Sequence, residues 1–463
     1  MQIDNDKNQE VITTESSKFD EIRHYNDSEV PNAIQSILND DELISGVSRY
    51  MFKKLPNFMV RILKPFVKHV LKKKFSKVKT IREVQEYVAT FMKGIIRDTT
   101  DGFTYSGFDK LDKNTGYLFI SNHRDISLDP AFIDMACFFN DLDTVKIAIG
   151  DNLLRKPVAT DLMKLNKSFI VKRSLTSPKA KLKAFSELSE YIGLAIEEKH
   201  NVWIAHREGR AKDGNDLTEE AILKMFYMYG KKKGLSFSEY IKQLKIVPVS
   251  ITYEYDPGDE AKARELYETE KNGTYTKSEF EDIDSIVGGI KGYKGRVHIS
   301  AGKPLEAEYA DASELAFEID RYIHKHYRMF PSAIIAANQL DNSVSLDGIT
   351  EVEKSKYLER LKNREDILNN FIERYEKSSY YKGKSLKPQK SSIVLHERYP
   401  QYGQSRYPEV LEKIEDVVVQ LEKEDLIQFA KGSIEGNRKL IFVPTEERVS
   451  KIYQELDKTP LKE

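Results

Sequence analysis

Short apolar runs alternate with amphipathic helical patterns between residues 102 and 338 of this 463-residue chain. Apolar runs bounded by polar residues predict buried strands, and they lie at 117–121, 144–149, 168–171, 201–205, 246–252 and 296–300. Apolar residues that recur every three or four positions predict helices, and these lie at 129–140, 178–199, 217–229 and 313–327. Because strands that alternate with helices build a sheet covered by helices, the pattern predicts a layered α/β domain with a central mixed sheet, at residues 101–345.

The chain on either side of this domain has a different pattern. Residues 1–30 contain few large apolar side chains and are predicted to be a disordered lead-in. Residues 31–100 show helical periodicity and are predicted to form amphipathic helices. Residues 346–463 are predicted to form a small, mostly helical appendage, with helices at 351–376, 407–421 and 446–456 and a strand at 439–443.

One stretch of the N-terminal helical region combines an apolar face with a strong positive charge. The spacing of Phe58, Ile62, Phe66 and Val70 keeps four apolar groups on one helical face, although Pro65 is expected to kink or restart the helix. No Asp or Glu occurs between residues 43 and 81, where Lys and Arg accumulate. Basic residues around an apolar face are typical of a segment that lies on an anionic membrane surface.

The same basic stretch is also consistent with a core-packing helix pair that has a solvated lysine face, and with a nucleic-acid arm. We favour the membrane surface and expect no nucleic-acid partner. The residues predicted to contact the membrane are Lys53, Lys54, Phe58, Arg61, Lys64, Phe66, Lys68, Lys72, Lys73 and Lys74.

Composition limits the cellular setting and the chemistry. The single cysteine, Cys137, excludes an internal disulfide and a cysteine-based metal cluster, and it favours a reducing compartment. No run approaches the ~18 apolar residues of a spanning helix, and the first 29 residues lack the apolar core of a signal peptide. We therefore expect a cytoplasmic protein that is peripheral on the inner face of the cell membrane.

A histidine follows the predicted strand 117–121 and is the first candidate for catalysis. His123 is followed by Asp125 and by Asp129-Pro130, and an Asp before a Pro is typical of a helix start. A carboxylate fixed there by backbone donors can hold one ring nitrogen of His123, which prepares the imidazole as a general base. A purely structural role for such a histidine is the simpler alternative.

Cations follow two further strands of the predicted sheet. Arg173 follows the strand 168–171, and the glycine-containing loop after the strand 201–205 carries Glu208, Gly209, Arg210 and Lys212. Arginine side chains and the backbone N–H groups of such a loop suit a phosphate monoester, although each cluster alone is also typical of a solvated face. The histidines and carboxylates have no metal-ligand spacing, so we expect no metal.

Taken in chain order, these segments resemble the motifs of the glycerol-phosphate acyltransferase family over roughly residues 80 to 340. The matching positions are Asn122, His123 and Asp129-Pro130 for the first motif, Phe169, Ile170 and Arg173 loosely for the second, Glu208, Gly209 and Arg210 for the third, and Pro248 for the fourth. Lys212 and Gly214, and then Tyr253-Glu254, are similar to the branch of the family that uses glycerol-3-phosphate.

Two departures from the family pattern concern the spacing of His123 and Asp129 and the length of the third motif, which contains Arg210. Five residues separate His123 from Asp129, where the family has four. Either a bulged turn absorbs the extra residue or Asp125 is the partner, and we favour Asp129. The third motif is one residue shorter than the long version of the family, which leaves the role of Arg210 open.

The resemblance implies the transfer of a fatty acyl group from acyl-CoA or acyl carrier protein to a hydroxyl of glycerol-3-phosphate or 1-acylglycerol-3-phosphate in phospholipid biosynthesis, without a cofactor. It implies that His123 is the general base and Asp129 its orienting partner. The residues then implied in substrate binding are Asn122, Arg173, Glu208, Gly209, Arg210, Lys212 and Pro248. The alternative is a non-catalytic membrane- or lipid-binding protein on the same scaffold.

Overall fold

A seven-stranded mixed sheet organises the computed structural model, which describes residues 12–52, 55–212, 217–278, 281–340 and 344–376. The strands are β1 (Gly102–Ser106), β2 (Leu118–Ser121), β3 (Lys146–Gly150), β4 (Ser168–Val171), β5 (Val202–Ala205), β6 (Ile246–Tyr253) and β7 (Arg296–Ala301). Their order across the sheet is β1-β7-β6-β2-β5-β3-β4. Only the β6–β7 pair is antiparallel in this sheet, so the predicted α/β class with a central mixed sheet is confirmed.

Helices flank the sheet and precede it along the chain. Those before β2 are α1 (Val30–Asn39), α2 (Asp41–Met51), α3 (Asn57–Phe75) and α4 (Ile81–Thr99). Those between β2 and β6 are α5 (Leu128–Phe139), α6 (Pro157–Leu165), α7 (Pro178–Glu197), α8 (Glu220–Lys232) and α9 (Phe237–Leu244). The rest are α10 (Asp259–Asn272), α11 (Glu281–Lys291), α12 (Ala312–Lys325), α13 (Pro331–Leu340) and α14 (Glu351–Glu376).

Each face of the sheet carries its own hydrophobic core. Leu118 and Ile120 point into a core with α7, α8, α9 and α12, while Phe119 between them points into a core with α4 and α5. Successive side chains of a strand point to opposite faces, so a strand that is buried on both faces is apolar throughout. This is why the central strands are recognisable as continuous apolar runs in the sequence.

The prediction of a disordered lead-in is wrong for residues 12–29, while residues 1–11 lie outside the described residues. Phe19 and Ile22 are 0% and 2% exposed and belong to the core on the α7 side of the sheet. The Ile22 carbonyl accepts a hydrogen bond of 2.9 Å from the backbone N–H of Ile170 in β4. A few apolar residues suffice here because they fill an existing core and cover an otherwise open sheet edge.

In the basic helical region, α3 runs without interruption through Pro65, so the helix does not restart there, and the alternative kink at Pro65 stays a prediction. The C-terminal prediction is confirmed for the helix at 351–376, which is α14. The predicted helices at 407–421 and 446–456 and the strand at 439–443 lie outside the described residues.

Candidate active site

The carboxyl ends of four parallel strands meet at one edge of the sheet and place the candidate residues together. His123 follows β2, the loop 206–212 follows β5, and Arg173 follows β4, while β3 ends between them. This is the edge at which ligands bind in open α/β sheets. A cavity of about 300 Å³ lies there, and its lining includes His123, Arg173, Glu208, Gly209, Arg210 and Lys212.

The imidazole of His123 is fixed by a buried carboxylate. Its Nδ1 lies 2.8 Å from Oδ2 of Asp129, a residue with no exposed surface. The same oxygen accepts the backbone N–H groups of Arg124 at 2.6 Å and Asp125 at 2.9 Å, and the hydroxyl of Tyr253 donates to Oδ1 at 2.9 Å. With Nδ1 donating to Asp129, Nε2 is left as the basic nitrogen for a group in the cavity.

The turn between His123 and α5 explains the unusual spacing. α5 begins at Leu128, so Asp129 and Pro130 lie in its first turn, as an Asp before a Pro predicts. Asp125 takes the capping role, because its Oδ1 accepts the backbone N–H groups of Ser127 at 3.0 Å and Leu128 at 2.8 Å. The extra residue is therefore absorbed in a turn that Asp125 stabilises, and Asp129 is the partner of His123.

The surroundings of Asp125 suit a structural carboxyl group. It is 4% exposed, and burial, followed by the negative charge of Asp129, raises its pKa. Its Oδ2 lies close to α11, where a Cβ added at Gly289 would come within 2.3 Å of that atom. Glycine at position 289 thus allows α11 to pack against the turn that carries His123.

Positive charge dominates the cavity wall. Seven lysine and arginine residues line the cavity against three carboxylates, namely Lys172, Arg173, Lys181, Arg207, Arg210, Lys212 and Lys277 against Glu208, Glu219 and Asp282. An excess of cations in a concave site attracts anionic ligands, and guanidinium groups match the geometry of a phosphate.

The three predicted phosphate-binding cations differ in their partners. Arg173 Nη1 lies 3.7 Å from Glu208 Oε1, and Lys212 Nζ lies 2.9 Å from Glu265 Oε1. Arg210 donates from Nη1 and Nη2 to the hydroxyl of Ser285, both at 3.3 Å. Arg210 is therefore held by an uncharged group, whereas the other two are already in contact with carboxylates.

The loop after β5 owes its shape to a glycine. Gly209 has a φ of 77°, a conformation that costs other residues free energy, and a Cβ there would meet no atom within 4 Å. The side chain of the preceding Glu208 is 68% exposed. The loop backbone is thus open on the side of the cavity and carries Arg210 on its far end.

Two residues predicted to bind substrate do not reach the cavity, so these two assignments are wrong. The amide of Asn122 is fully buried and bridges β2 to β6, donating to the Ile251 carbonyl at 2.9 Å and accepting the Ile251 N–H at 2.8 Å. Pro248 is buried within β6, where its ring lies against Gly302. Both residues shape the sheet beneath the site.

The sequence analysis missed a buried lysine next to the turn that carries His123. Lys262 of α10 donates to the Arg124 carbonyl at 2.7 Å and to Asp256 Oδ2 at 2.5 Å. Burial lowers its pKa to about 8, against the opposing charge of Asp256. A lysine in an otherwise polar helix gives no sequence signal of burial, because its partners lie in other elements.

The apolar face of α3 is exposed, as are most of its lysines. The exposed fractions of Phe58, Ile62 and Phe66 are 66%, 71% and 61%, while Val60 and Val67 pack inward. Arg61, Lys72, Lys73 and Lys74 are exposed, Lys68 is half-buried, and Lys64 pairs with Asp41. Lys53 and Lys54 lie outside the described residues. None of the helices in the described part of the chain has the length and apolarity needed to cross a membrane.

Metal ligation has no candidate within the described residues, where no group of three or more His, Cys, Asp or Glu side chains is placed to hold an ion.

Comparison with known proteins gave one family match and one similar solved structure. Residues 102–252 match the model of a family described as Acyltransferase, and this segment contains His123, Asp129, Arg173 and Arg210. No curated protein matches the chain significantly. Among solved structures, the 1-acyl-sn-glycerophosphate (LPA) acyltransferase PlsC from Thermotoga maritima is similar at 12% sequence identity and a TM-score of 0.34, covering 61% of this chain and 92% of that one.

Proposed function

We propose that this chain transfers a fatty acyl group from a thioester to a hydroxyl of glycerol-3-phosphate or 1-acylglycerol-3-phosphate in phospholipid biosynthesis, since its residues 102–252 match the acyltransferase family model. The observation that supports this most strongly is the His123–Asp129 pair at a cavity whose wall also carries Arg173 and Arg210. A base beside phosphate-binding groups is the arrangement that acyl transfer to a phosphorylated alcohol requires.

The chemistry needs no covalent enzyme intermediate, since a thioester is already an activated acyl donor. His123 Nε2 removes the proton of the acceptor hydroxyl as its oxygen attacks the thioester carbonyl. The C–S bond then breaks, and the imidazolium returns the proton to the departing thiolate. Asp129 holds the ring in the tautomer that this requires and stabilises the charge that forms on it.

The cavity lining contains both cationic and apolar side chains, which suit the phosphate and the apolar parts of the two substrates. The cations Arg173, Arg210 and Lys212 supply a phosphate-binding wall, while Leu188, Ile222 and Met225 are among the apolar residues of the lining. Binding the phosphate fixes the distance between the acceptor hydroxyl and His123, which converts binding energy into orientation.

The exposed face of α3 supports a peripheral position on the anionic inner face of the cell membrane. Phe58, Ile62 and Phe66 are available for insertion among lipid headgroups, with Lys72, Lys73 and Lys74 exposed on the same helix. Such a position brings the protein close to membrane-bound acceptors and products. The donor is acyl-CoA or acyl carrier protein, and the acidic carrier protein is the rival partner for the same lysines.

One assay tests the reaction. Purified full-length protein is incubated with radiolabelled palmitoyl-CoA or palmitoyl carrier protein and with either glycerol-3-phosphate or 1-acylglycerol-3-phosphate, and the lipids are then separated. We expect the label in lysophosphatidate or phosphatidate with at least one pair. Label that stays in the thioester with every pair would refute the enzymatic proposal and leave a lipid-binding protein on this scaffold.

A further inference from the structure

The connection between β6 and β7, residues 254–295, contributes Lys277 and Asp282 to the cavity lining and lies outside the segment that matches the acyltransferase family. It contains α10 and α11, and α11 touches the site at several points. Asp282 accepts a hydrogen bond from Asn152 at 3.1 Å, Ser285 binds Arg210, and Gly289 packs against Asp125. α11 is therefore in contact with both the turn that carries His123 and the loop 206–212 that carries Arg210.

The contact between α11 and Arg210 is unusual in its charge. Within the described residues, Arg210 forms no ion pair, and its side chain donates to the uncharged Ser285 hydroxyl. Arg173 and Lys212 both face carboxylates of the protein. The guanidinium of Arg210 is thus oriented without being neutralised, so its charge is available to an incoming anion.

The positive charge of Arg210 contributes to lowering the pKa of Asp282, but this carboxylate already accepts hydrogen bonds from two other residues. Burial opposes the ionisation of Asp282, but the hydrogen bond and the charge of Lys277 lower its pKa, with smaller contributions from Asn152 and Arg210. Lys277 donates to Asp282 Oδ1 at 3.0 Å and Asn152 donates to Oδ2 at 3.1 Å. Asp282 therefore remains with its own donors and leaves Arg210 to Ser285.

We propose that Ser285 is a positioning residue that aims the Arg210 guanidinium at the phosphate of the acceptor. The proposal rests on the function proposed above and names the residue that completes its phosphate site. The hydroxyl oxygen of Ser285 accepts hydrogen bonds from both terminal nitrogens of the guanidinium and contributes no competing negative charge. A carboxylate at position 285 would hold the side chain equally well and cancel its attraction for phosphate.

Three substitutions of one side chain separate orientation from charge. Ser285→Ala removes the acceptor, and we expect the KM for the phosphorylated acceptor to rise about tenfold with little change in kcat. Ser285→Thr keeps a hydroxyl and should stay within about threefold of wild type. Ser285→Asp pairs with Arg210, and kcat/KM should fall about a hundredfold. Ser278→Asp is the matched control, because it adds the same charge at an exposed serine just before α11.

Comparing acceptors with and without a phosphate distinguishes positioning of Arg210 from a merely structural role, because a structural defect would affect both acceptors equally. Each variant is assayed with 1-acylglycerol-3-phosphate and with 1-acylglycerol, which lacks the phosphate. Ser285→Ala should reduce the preference of the enzyme for the phosphorylated acceptor and leave the rate with 1-acylglycerol unchanged. Equal losses with both acceptors, an unchanged KM in Ser285→Ala, or equal losses in Ser278→Asp and Ser285→Asp would overturn the proposal.

Direct binding distinguishes failure of this proposal from failure of the proposed reaction. Calorimetry, without any turnover, gives the dissociation constant of the tighter-binding acceptor, glycerol-3-phosphate or 1-acylglycerol-3-phosphate, for wild type and for Ser285→Ala. A wild type that binds this ligand but transfers no acyl group would refute the reaction, while the ratio of the two dissociation constants would still judge Ser285. Equal dissociation constants, or no binding by wild type, would refute its role.

Discussion

At the scale of single residues, the Asp129 carboxylate fixes the orientation of the His123 imidazole. It accepts four hydrogen bonds, from the imidazole, two backbone N–H groups and the Tyr253 hydroxyl. Burial and the negative charge of Asp129 raise the pKa of the Tyr253 hydroxyl well above its usual range, so it stays a donor. Three of these donors belong to residues 123–125 and the fourth to β6, and together they hold both oxygens in one orientation.

The two aspartates near His123 should respond differently to the loss of their charge. Asp129→Asn replaces an acceptor oxygen by an NH₂ group that faces donors, so we expect kcat/KM to fall by about 10²–10⁴-fold. Asp125→Asn keeps an amide oxygen for the N–H groups of Ser127 and Leu128, and it should retain activity within about tenfold. Initial-rate assays of both variants, with circular dichroism as a folding control, make the comparison. An inactive Asp125→Asn beside an active Asp129→Asn would contradict the assignment.

At the scale of elements, α3 shows how one helix serves two environments. Val60 and Val67 are buried against the protein, while Phe58, Ile62 and Phe66 on the other side are exposed. The four-residue spacing that was recognised in the sequence therefore marks an outward face, since the buried residues lie between its members. Sequence periodicity detects such an apolar face but does not reveal whether the rest of the protein or a membrane covers it.

The exposed phenylalanines of α3 should control membrane adhesion. We expect Phe58→Ser combined with Phe66→Ser to weaken binding to vesicles that contain anionic lipid by about tenfold or more, because two large apolar side chains no longer insert. The matched control is Phe91→Ser, which removes a phenylalanine of α4 that is 53% exposed. Co-sedimentation with anionic and with neutral vesicles measures the effect. Unchanged sedimentation of the double variant would exclude this face, and an equal loss in Phe91→Ser would show that the effect is not specific to α3.

At the scale of the whole molecule, the sequence predicted the parts whose residues carry a local signal. β2, β5 and β6 are continuous apolar runs because both of their faces are buried, and β2 and β5 end in His123 and the Gly209 loop. β1 was missed because this edge strand is mostly exposed and contains no apolar run. Residues 12–29 were misjudged because two apolar side chains are too few for a pattern and yet enough to fill a core.

The parts of the site that the sequence did not predict depend on contacts between distant segments. Ser285 meets Arg210 across 75 residues, and Lys262 meets the Arg124 carbonyl across 138. Neither residue type nor spacing indicates such a contact, since a serine and a lysine in polar helices are ordinary surface residues. Asn122 and Pro248 show the reverse error, because their place in a motif suggested substrate contact while their hydrogen bonds and burial serve the sheet.

The proposed function requires that the imidazole of His123 acts on an acceptor that the cationic cavity wall holds in place. The most direct test is the rate of acyl transfer by purified His123→Ala relative to wild type, measured at saturating acceptor, with vesicle binding as the control for folding. We predict a loss of about 10³-fold or more in the rate, because the general base is gone while the binding groups remain, and unchanged vesicle binding. Transfer by His123→Ala within a few fold of wild type would contradict this role.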